Sequence, residues 1–265
     1  MKSKIINCKE IIDIEQIKEA AKALREGKLV IFPTETVYGI GTNALLGSSV
    51  EKIFIAKQRA QDNPLIVHIS SFEELINIVE EPNEIEKKLM NAFCPGPFTI
   101  ILKAKSKISK VVTAGLNTVG VRMPSNNIAR ELIKRSGVPI AAPSANLSGR
   151  PSGTDIDDII EELDGKVEYI IDGGKVPIGL ESTVVRVLDN KVHILRPGKI
   201  SPEDIEKLGL EVEIDKNILN EIEPEEKVLS PGMKYRHYAP KTKCVLVYSE
   251  NNTNLVEKIN ELSKD

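Results

Sequence analysis

The segment that decides the fold is Leu29–Ala44, which reads LVIFPTETVYGIGTNA. It begins with a short apolar run, Leu29–Phe32, directly after Lys28, and such a run is typical of a buried strand. Pro33 has no N–H group to donate to a neighbouring strand, so the run ends there. Hydroxyls and a carboxylate follow, and ligands of open α/β sheets bind beyond strand ends. The segment predicts either a strand that leads into a ligand site or an ordinary strand-to-loop turn.

Helix and strand patterns alternate on both sides of this segment, which predicts an α/β fold. Predicted helices cover Asp13–Glu26, Val50–Arg59, Asn83–Phe93, Ile128–Ser136 and Thr154–Leu163. Predicted strands cover Leu65–Ile69, Phe98–Lys103, Thr118–Met123, Val138–Ala142, Val167–Asp172, Ser182–Leu188 and Lys191–Arg196. Asp189-Asn190 suits a two-residue hairpin, so we expect a mixed rather than a purely parallel sheet.

Several predicted helix starts carry capping signals. Ser71–Glu74 and Asn83–Glu86 both have the spacing of a capping box, in which two side chains bond each other's backbone N–H groups. Ser48 or Ser49 is the expected cap of the helix that begins near Val50.

The chain divides into three parts by composition. Residues 1–220 carry the alternating patterns, whereas periodicity disappears in the proline-containing stretch 221–243, as in a linker. Residues 244–265 hold one strand pattern and one helix pattern, and one such unit cannot bury its own apolar face. We therefore expect residues 244–265 to begin a second domain.

Composition narrows the class of protein. The chain has 265 residues, of which 41% are hydrophobic, and a formal net charge of −3, so it lacks the general basic field typical of nucleic-acid binding. Cys8, Cys94 and Cys244 lie far apart and resemble the reduced thiols of a cytosolic protein. The sequence shows neither the apolar core of a signal peptide nor a run of roughly 20 apolar residues that spans a bilayer. These features predict a cytoplasmic protein without a membrane segment.

Two basic motifs suggest anion binding. Lys57 and Arg59, followed by Asn63, can hold phosphate oxygens, although cations at the end of a helix are also favoured by its dipole. Arg122 interrupts an apolar strand, where a charge is costly unless it is paired. Its partner is either an internal carboxylate or the carboxylate of a ligand.

Three further motifs allow two readings each. Ser144 and Asn146 follow small residues at a strand end, where a ligand can approach closely or a turn can be capped. Ser182 and Arg196 flank the predicted hairpin, which brings them to one end of the sheet as ligand-binding or surface groups. Ser230–Pro240, SPGMKYRHYAP, is either a lid over the site or a solvated linker.

Because no cysteine or serine is paired with a recognisable base, we expect catalysis by positioning and electrostatics.

Together the motifs resemble those of the Sua5/YrdC family of threonylcarbamoyl-AMP synthases. The segments that carry this resemblance are FPTETVYGIGTNA, AKQRAQDNPLIVHI, CPGPFTIIL, VGVRMPSN, GVPIAAPSANLSGRPS, ESTVVRV, RPG and SPGMKYRHYAP. Their joint order over most of the chain is more specific than any one of them. The last segment resembles the longer, Sua5 type, but the Rossmann-like C-terminal domain of that type is expected to be mostly absent here.

The resemblance implies a twisted, mixed, open sheet with flanking helices and a basic ligand cavity. It also implies that L-threonine, bicarbonate and ATP are converted to threonylcarbamoyl-adenylate and pyrophosphate, with Mg²⁺ brought by the nucleotide. That product feeds the N6-threonylcarbamoyl modification of adenosine in tRNA through downstream threonylcarbamoyl-transferase machinery. Direct binding of tRNA is compatible with this activity without being required by it.

The resemblance also assigns residues to the two larger substrates. Those expected around threonine are Thr36, His68, Arg122, Ala142 and Ser182, with Arg122 on the carboxylate. Those expected around ATP are Lys57, Arg59, Asn63, Thr118, Ser144, Asn146, Ser152, Arg196 and Tyr235. Lys57 and Arg59 are expected to face the phosphates as the catalytic pair, and no metal ligand of the protein's own is predicted.

Two other classes of function remain open at this stage. A module that binds double-stranded RNA or tRNA would use the basic concavity of the fold, although the net charge of −3 and the absence of tryptophan argue mildly against it. An enzyme resembling dihydroxybutanone-phosphate synthase would need a sugar-phosphate site with acidic metal ligands, for which the sequence offers no clear candidates.

Overall fold

The computed structural model describes residues 2–215, 247–248 and 255–263. The segment Ser230–Pro240 with Tyr235, predicted as a lid or a linker, and most of the predicted strand Cys244–Tyr248 lie outside the described residues. Among the described helices, none is both long enough and apolar enough to cross a lipid bilayer.

The described residues form eleven strands, eight α-helices and one short 3₁₀-helix. The strands are β1 Lys4–Asn7, β2 Val30–Phe32, β3 Gly39–Asn43, β4 Ile66–His68, β5 Phe98–Lys103, β6 Thr118–Arg122, β7 Ile140–Ala141, β8 Tyr169–Asp172, β9 Thr183–Leu188, β10 Lys191–Arg196 and β11 Val212–Ile214. The helices are α1 Ile14–Arg25, α2 Gly47–Lys57, α3 Glu84–Phe93, α4 Lys110–Thr113, α5 Asn127–Ser136, α6 Ile156–Leu163, α7 Pro202–Glu206 and α8 Leu255–Leu262. The 3₁₀-helix is Phe72–Asn77.

All eleven strands belong to one sheet with the order β1-β8-β2-β3-β7-β4-β6-β5-β9-β10-β11. The sheet contains both parallel pairs, such as β4 with β6, and antiparallel pairs, such as β5 with β6. The predicted class, a mixed α/β sheet with flanking helices, is therefore confirmed.

Helices cover both faces of this sheet, so its central strands are buried on both sides. Along β2, Val30 and Phe32 belong to the core beneath α1 and α5, whereas Ile31 belongs to the larger core on the opposite face. This alternation follows from the two-residue period of a strand. It explains why Leu29–Phe32 is apolar throughout instead of alternating with polar residues.

The loop predicted after β2 contains a strand that the sequence analysis missed. The strand β3 pairs antiparallel with β2, with Gly41 opposite Val30. A Cβ atom on Gly41 would lie 2.7 Å from a methyl group of Ile140 and 2.8 Å from the Phe32 ring. Close packing of neighbouring strands therefore requires glycine here, and a strand with two glycines lacks the usual apolar signal.

The capping predictions had mixed outcomes. Asn83 and Glu86 form the predicted capping box of α3. The box at Ser71 is wrong: the Ser71 side chain caps nothing, and Glu74 instead accepts from the Ser70 amide at 3.1 Å. The predicted serine cap of α2 is also wrong, because that helix begins at Gly47 after Leu46 without a side-chain cap.

Candidate active site

A polar cavity lies where loops meet the strands at the centre of the sheet. Nine of the predicted site residues line it: Lys57, Arg59, His68, Arg122, Ala142, Ser144, Asn146, Ser182 and Arg196. They come from segments far apart in the sequence. The fold therefore brings together most of the motifs that suggested ligand binding.

The cavity lining is rich in basic side chains although the chain as a whole carries a net charge of −3. Among the described residues that line it, four are lysine or arginine and Glu181 is the single carboxylate. Fixed cations with few carboxylates favour anionic ligands, and partial burial strengthens the attraction. The cavity is suited to an anionic substrate.

Lys57, the last residue of α2, is buried and faces the loop that follows β7. Its Nζ atom donates to the carbonyl oxygens of Ser144 at 2.6 Å and Asn146 at 2.5 Å. Burial lowers the pKa of its ammonium group to about 7, and the Arg59 charge acts in the same direction. Lys57 therefore holds the backbone of this loop and titrates near neutral pH.

Arg122 ends β6 and forms a buried ion pair with Glu35, in which Nη2 donates to Oε1 at 2.7 Å. The internal partner considered from the sequence is therefore present. The Nε atom of Arg122 is buried and has no hydrogen-bond partner among the described residues. The guanidinium thus has both an internal carboxylate and remaining capacity to donate to a ligand.

His68 ends β4 and lies directly opposite Arg122 in the β4–β6 register. It is buried, and its Nδ1 atom has no hydrogen-bond partner within the part of the chain that the structure describes. Burial, followed by the Arg122 charge, lowers the pKa of His68 to about 3. At neutral pH the imidazole is uncharged and can donate to or accept from a polar ligand.

Ser182 and Arg196 meet as the hairpin prediction requires. Asp189 and Asn190 adopt φ of 49° and 64°, which closes the turn between β9 and β10. At the other end of these strands, Arg196 Nη2 donates to Ser182 O at 2.9 Å and to Ser182 Oγ at 3.1 Å. The Oγ atom also lies 2.7 Å from Thr99 Oγ1, so the serine hydroxyl is held on two sides.

Five predicted site residues are not on the cavity wall as described. Thr36 is fully buried, with its hydroxyl 3.0 Å from that of Thr34. Thr118 begins β6, four residues and roughly 13 Å along the strand from Arg122. Ser152 contacts the cavity indirectly, through a hydrogen bond to the Glu181 carboxylate. Tyr235 lies outside the described residues.

Asn63, the fifth, is fully buried beside the cavity-lining Arg59, whose Nη2 lies 3.5 Å from the Asn63 carbonyl oxygen. Both polar atoms of its side-chain amide lack hydrogen-bond partners among the described residues. Buried amides are normally satisfied by protein, water or a ligand. Asn63 therefore shares with His68 and Arg122 the unmet bonding capacity expected of a ligand site.

The structure adds cavity residues that the sequence analysis had not assigned. Thr34 and Tyr38 belong to the segment quoted first, and Glu181 precedes Ser182. Tyr38 is held by its hydroxyl, which donates to the Gly174 carbonyl at 2.7 Å. Their motifs had been recognised, but only the packing of the loops showed which members of each motif reach the cavity.

Comparison with known families agrees with this arrangement. The Sua5/YciO/YrdC family model, described as telomere recombination, matches residues 22–198. A second model, described as the C-terminal domain of threonylcarbamoyl-AMP synthase, matches residues 200–265. The expectation that the C-terminal domain is mostly absent is therefore wrong, because sequence belonging to it begins near residue 200. The finer boundaries at 220 and 243 remain predictions.

Similar proteins in other organisms are named threonylcarbamoyl-AMP synthase, as the second family model is. The threonylcarbamoyl-AMP synthase of Pyrococcus abyssi is 48% identical over 92% of this chain and 71% of its own length. That of Bacillus subtilis is 49% identical over 85% of this chain and 64% of its own length. The crystal structure of P. abyssi Sua5 complexed with L-threonine superposes with a TM-score of 0.92 at 47% identity, covering 97% of this chain and 75% of that one. The chain thus spans about two thirds to three quarters of the lengths of these relatives, and it belongs to the Sua5/YrdC family of threonylcarbamoyl-AMP synthases.

Proposed function

We propose that this chain condenses L-threonine, bicarbonate and ATP to L-threonylcarbamoyl-adenylate and pyrophosphate. The observation that carries the proposal is the cationic cavity, in which Arg122 lies beside the uncharged imidazole of His68, whose Nδ1 atom has no hydrogen-bond partner among the described residues. One ligand of this set is an amino acid with a carboxylate and a hydroxyl, and another is a polyphosphate. The relatives' name and the threonine complex of P. abyssi Sua5 support the same assignment.

The proposed threonine subsite comprises Thr36, His68, Arg122, Ala142 and Ser182. Arg122 would bind the carboxylate, since a guanidinium matches the two oxygens of such a group. Thr36 is buried, so it would act indirectly, through the hydrogen bond between its hydroxyl and that of Thr34. His68 and Ser182 supply neutral hydrogen-bonding groups for the side-chain hydroxyl.

The proposed ATP subsite comprises Lys57, Arg59, Asn63, Thr118, Ser144, Asn146, Ser152, Arg196 and Tyr235. Lys57, Arg59 and Arg196 contribute the positive charge that a triphosphate requires. Thr118 is the member that the geometry supports least, since it begins the strand that Arg122 ends. The position of Tyr235 remains a prediction.

The chemistry needs positioning rather than a protein nucleophile. The threonine amine attacks the carbon of bicarbonate, or of CO₂ derived from it, and water or a proton is released as the carbamate forms. A carbamate oxygen then attacks the α-phosphorus of ATP, and the bond to the β-phosphate breaks to release pyrophosphate. Fixed cations stabilise the charge on the departing pyrophosphate. A cysteine nucleophile is not needed for either step: burial raises the pKa of the Cys94 thiol to about 11, so this thiol is protonated at neutral pH.

Magnesium, the downstream transferase machinery, tRNA binding and the cytoplasmic location stay predictions. The described residues contain no group of three or more histidine, cysteine or acidic side chains arranged to hold a metal ion. We therefore propose that Mg²⁺ arrives coordinated by the phosphates of ATP, and no protein ligand is assigned to it.

Pyrophosphate release is the direct test of this function. We expect release from ATP when threonine and bicarbonate are both present, and only background release when either is omitted. Equal release without threonine would contradict the proposal. Analysis of the nucleotide product by mass spectrometry distinguishes threonylcarbamoyl-adenylate from AMP formed by simple hydrolysis.

Substitution of single arginines should separate the two subsites. We expect Arg59→Ala to weaken ATP binding and Arg122→Ala to weaken threonine binding, each with little effect on the other ligand. Loss of one charge-assisted hydrogen bond costs about 1.5–3 kcal/mol, or roughly 10- to 100-fold in affinity. Calorimetric titration of each ligand into each variant measures both effects. Identical ligand profiles for the two variants would refute the division.

A further inference from the structure

The buried carboxylate of Glu35 is unexplained by the proposed substrate contacts. Its side chain is 8% exposed and that of Arg122 is 5% exposed, so the ion pair between them is almost fully removed from water. Removal of two charges from water costs several kcal/mol for each ion and is only partly offset by their attraction. Such a pair suggests a function in addition to stability.

The Glu35 carboxylate is fixed from two directions. Its Oε1 atom accepts from Arg122 Nη2 at 2.7 Å, and its Oε2 atom accepts from the Ser125 amide at 3.2 Å. Its backbone is also anchored, because the Glu35 carbonyl oxygen accepts from the Ile178 amide at 3.1 Å. Glu35 therefore links the loop after β2 to the end of β6 and to the residues that follow it.

This arrangement restricts the guanidinium of Arg122. One Nη2 hydrogen bond is committed to Glu35, while Nε has no partner among the described residues. Arginine side chains have many rotamers, and a guanidinium held by a fixed carboxylate loses less freedom when it binds a ligand. Glu35 would therefore reduce the loss of Arg122 side-chain entropy that accompanies threonine binding.

The charge of Glu35 has a second consequence, for the choice of ligand. Lys57, Arg59 and Arg196 lie in the same cavity, and a free Arg122 would add one more cation that attracts polyphosphate. The Glu35 carboxylate offsets the Arg122 charge at 2.7 Å. Glu35 repels any anion at this position, but it repels a polyanion more strongly than a monoanionic carboxylate, which can still bind the remaining donors.

We propose that Glu35 is a positioning residue, which orients Arg122 for the threonine carboxylate and keeps polyphosphate away from it. This inference rests on the proposed function, since it requires Arg122 to bind threonine. Glu35 acts through Arg122 and does not itself contact the substrate. It was not among the site residues expected from the sequence.

The variant Glu35→Gln removes the charge while nearly preserving the shape of the side chain. We expect the dissociation constant for threonine to rise at least about tenfold, because the charge-assisted bond that orients Arg122 is lost. The dissociation constant for ATP should change less than about threefold. Pyrophosphate should displace threonine from this variant but not from the parent protein, an effect that a merely structural role would not produce.

Two further variants complete the experiment. Glu35→Asp keeps the charge and should keep pyrophosphate from displacing threonine, while its shorter side chain weakens threonine binding; it serves also if Glu35→Gln does not fold. Glu131→Gln, which breaks the partly exposed ion pair with Arg135 on α5, is the matched control and should leave both affinities unchanged. Thermal unfolding and calorimetry are measured on each protein.

The outcomes separate this inference from the proposed function. Absence of threonine binding to the parent protein would refute the proposed function. If the parent binds threonine and Arg122→Ala does not, unchanged or tighter binding to Glu35→Gln would overturn only the positioning role. Failure of pyrophosphate to displace threonine from Glu35→Gln would overturn the screening role.

Discussion

Replacing threonine by valine as the substrate should lower kcat/KM by about 10⁴-fold. Valine has nearly the same shape, but it lacks the hydroxyl that the proposed subsite would bind. The buried imidazole of His68 has an Nδ1 atom without a hydrogen-bond partner among the described residues, and valine would leave this atom unpaired during the reaction. A site that hydrogen-bonds a hydroxyl rejects the analogue without it far more strongly than an apolar pocket rejects a change of one methylene. Pyrophosphate release at saturating ATP and bicarbonate measures this ratio.

Serine and alanine provide a control for the valine comparison. Serine keeps the hydroxyl and loses a methyl group, so it should be a better substrate than alanine by a similar factor. Its own deficit against threonine should be only about 10- to 200-fold, the range associated with one methylene. Comparable turnover of valine and threonine would show that the hydroxyl is not recognised and would contradict the substrate assignment.

Lys57→Met should lower kcat/KM for ATP by about 10³-fold. The substitution removes a cation from the cavity, and it leaves the carbonyl oxygens of Ser144 and Asn146 without their buried donor. Loss of the charge accounts for about tenfold, and displacement of the loop by about 1 Å can cost another 10²-fold. The control is Lys52→Met on the same helix, whose Nζ atom donates to the Gly27 carbonyl at 3.0 Å. An equal loss in both variants would indicate general destabilisation of α2.

The titration of Lys57 provides a pH test of the same site. Because its pKa in the folded protein is lowered to about 7, the amine is mostly uncharged at pH 8 and mostly charged at pH 6. A bound polyphosphate favours the charged form and raises that pKa, so ATP binding should take up a proton near pH 8 and little near pH 6. Calorimetry in buffers of different ionisation enthalpy measures the uptake, which should vanish in Lys57→Met. Proton uptake that persists in this variant would assign the titration to another group.

The sequence alone was sufficient to predict the fold class and most of the secondary structure on which it depends. The signals for secondary structure are local: apolar runs long enough for strands, helices with one apolar face, and the Asp189-Asn190 turn. They can be recognised without knowledge of the tertiary structure. The strand β3 escaped detection because its two glycines carry no apolar signal, and the need for glycine at Gly41 comes from the close approach of Phe32 on β2 and Ile140 on β7. Likewise, the Ser71 motif has the spacing of a capping box, but Glu74 bonds the Ser70 amide instead.

For the site, the sequence by itself determined which motifs carry charge and hydroxyls, and their joint order determined the family. Only the tertiary structure decided which side chains meet: strand register places His68 beside Arg122, and Glu35 reaches Arg122 from 87 residues away. The sequence also left open whether Arg122 pairs internally or with a ligand, and the structure shows an internal pair, with the Nε atom unpartnered among the described residues. The physical reason is that burial and pairing depend on contacts between distant segments, and these contacts set the pKa values of Lys57 and His68.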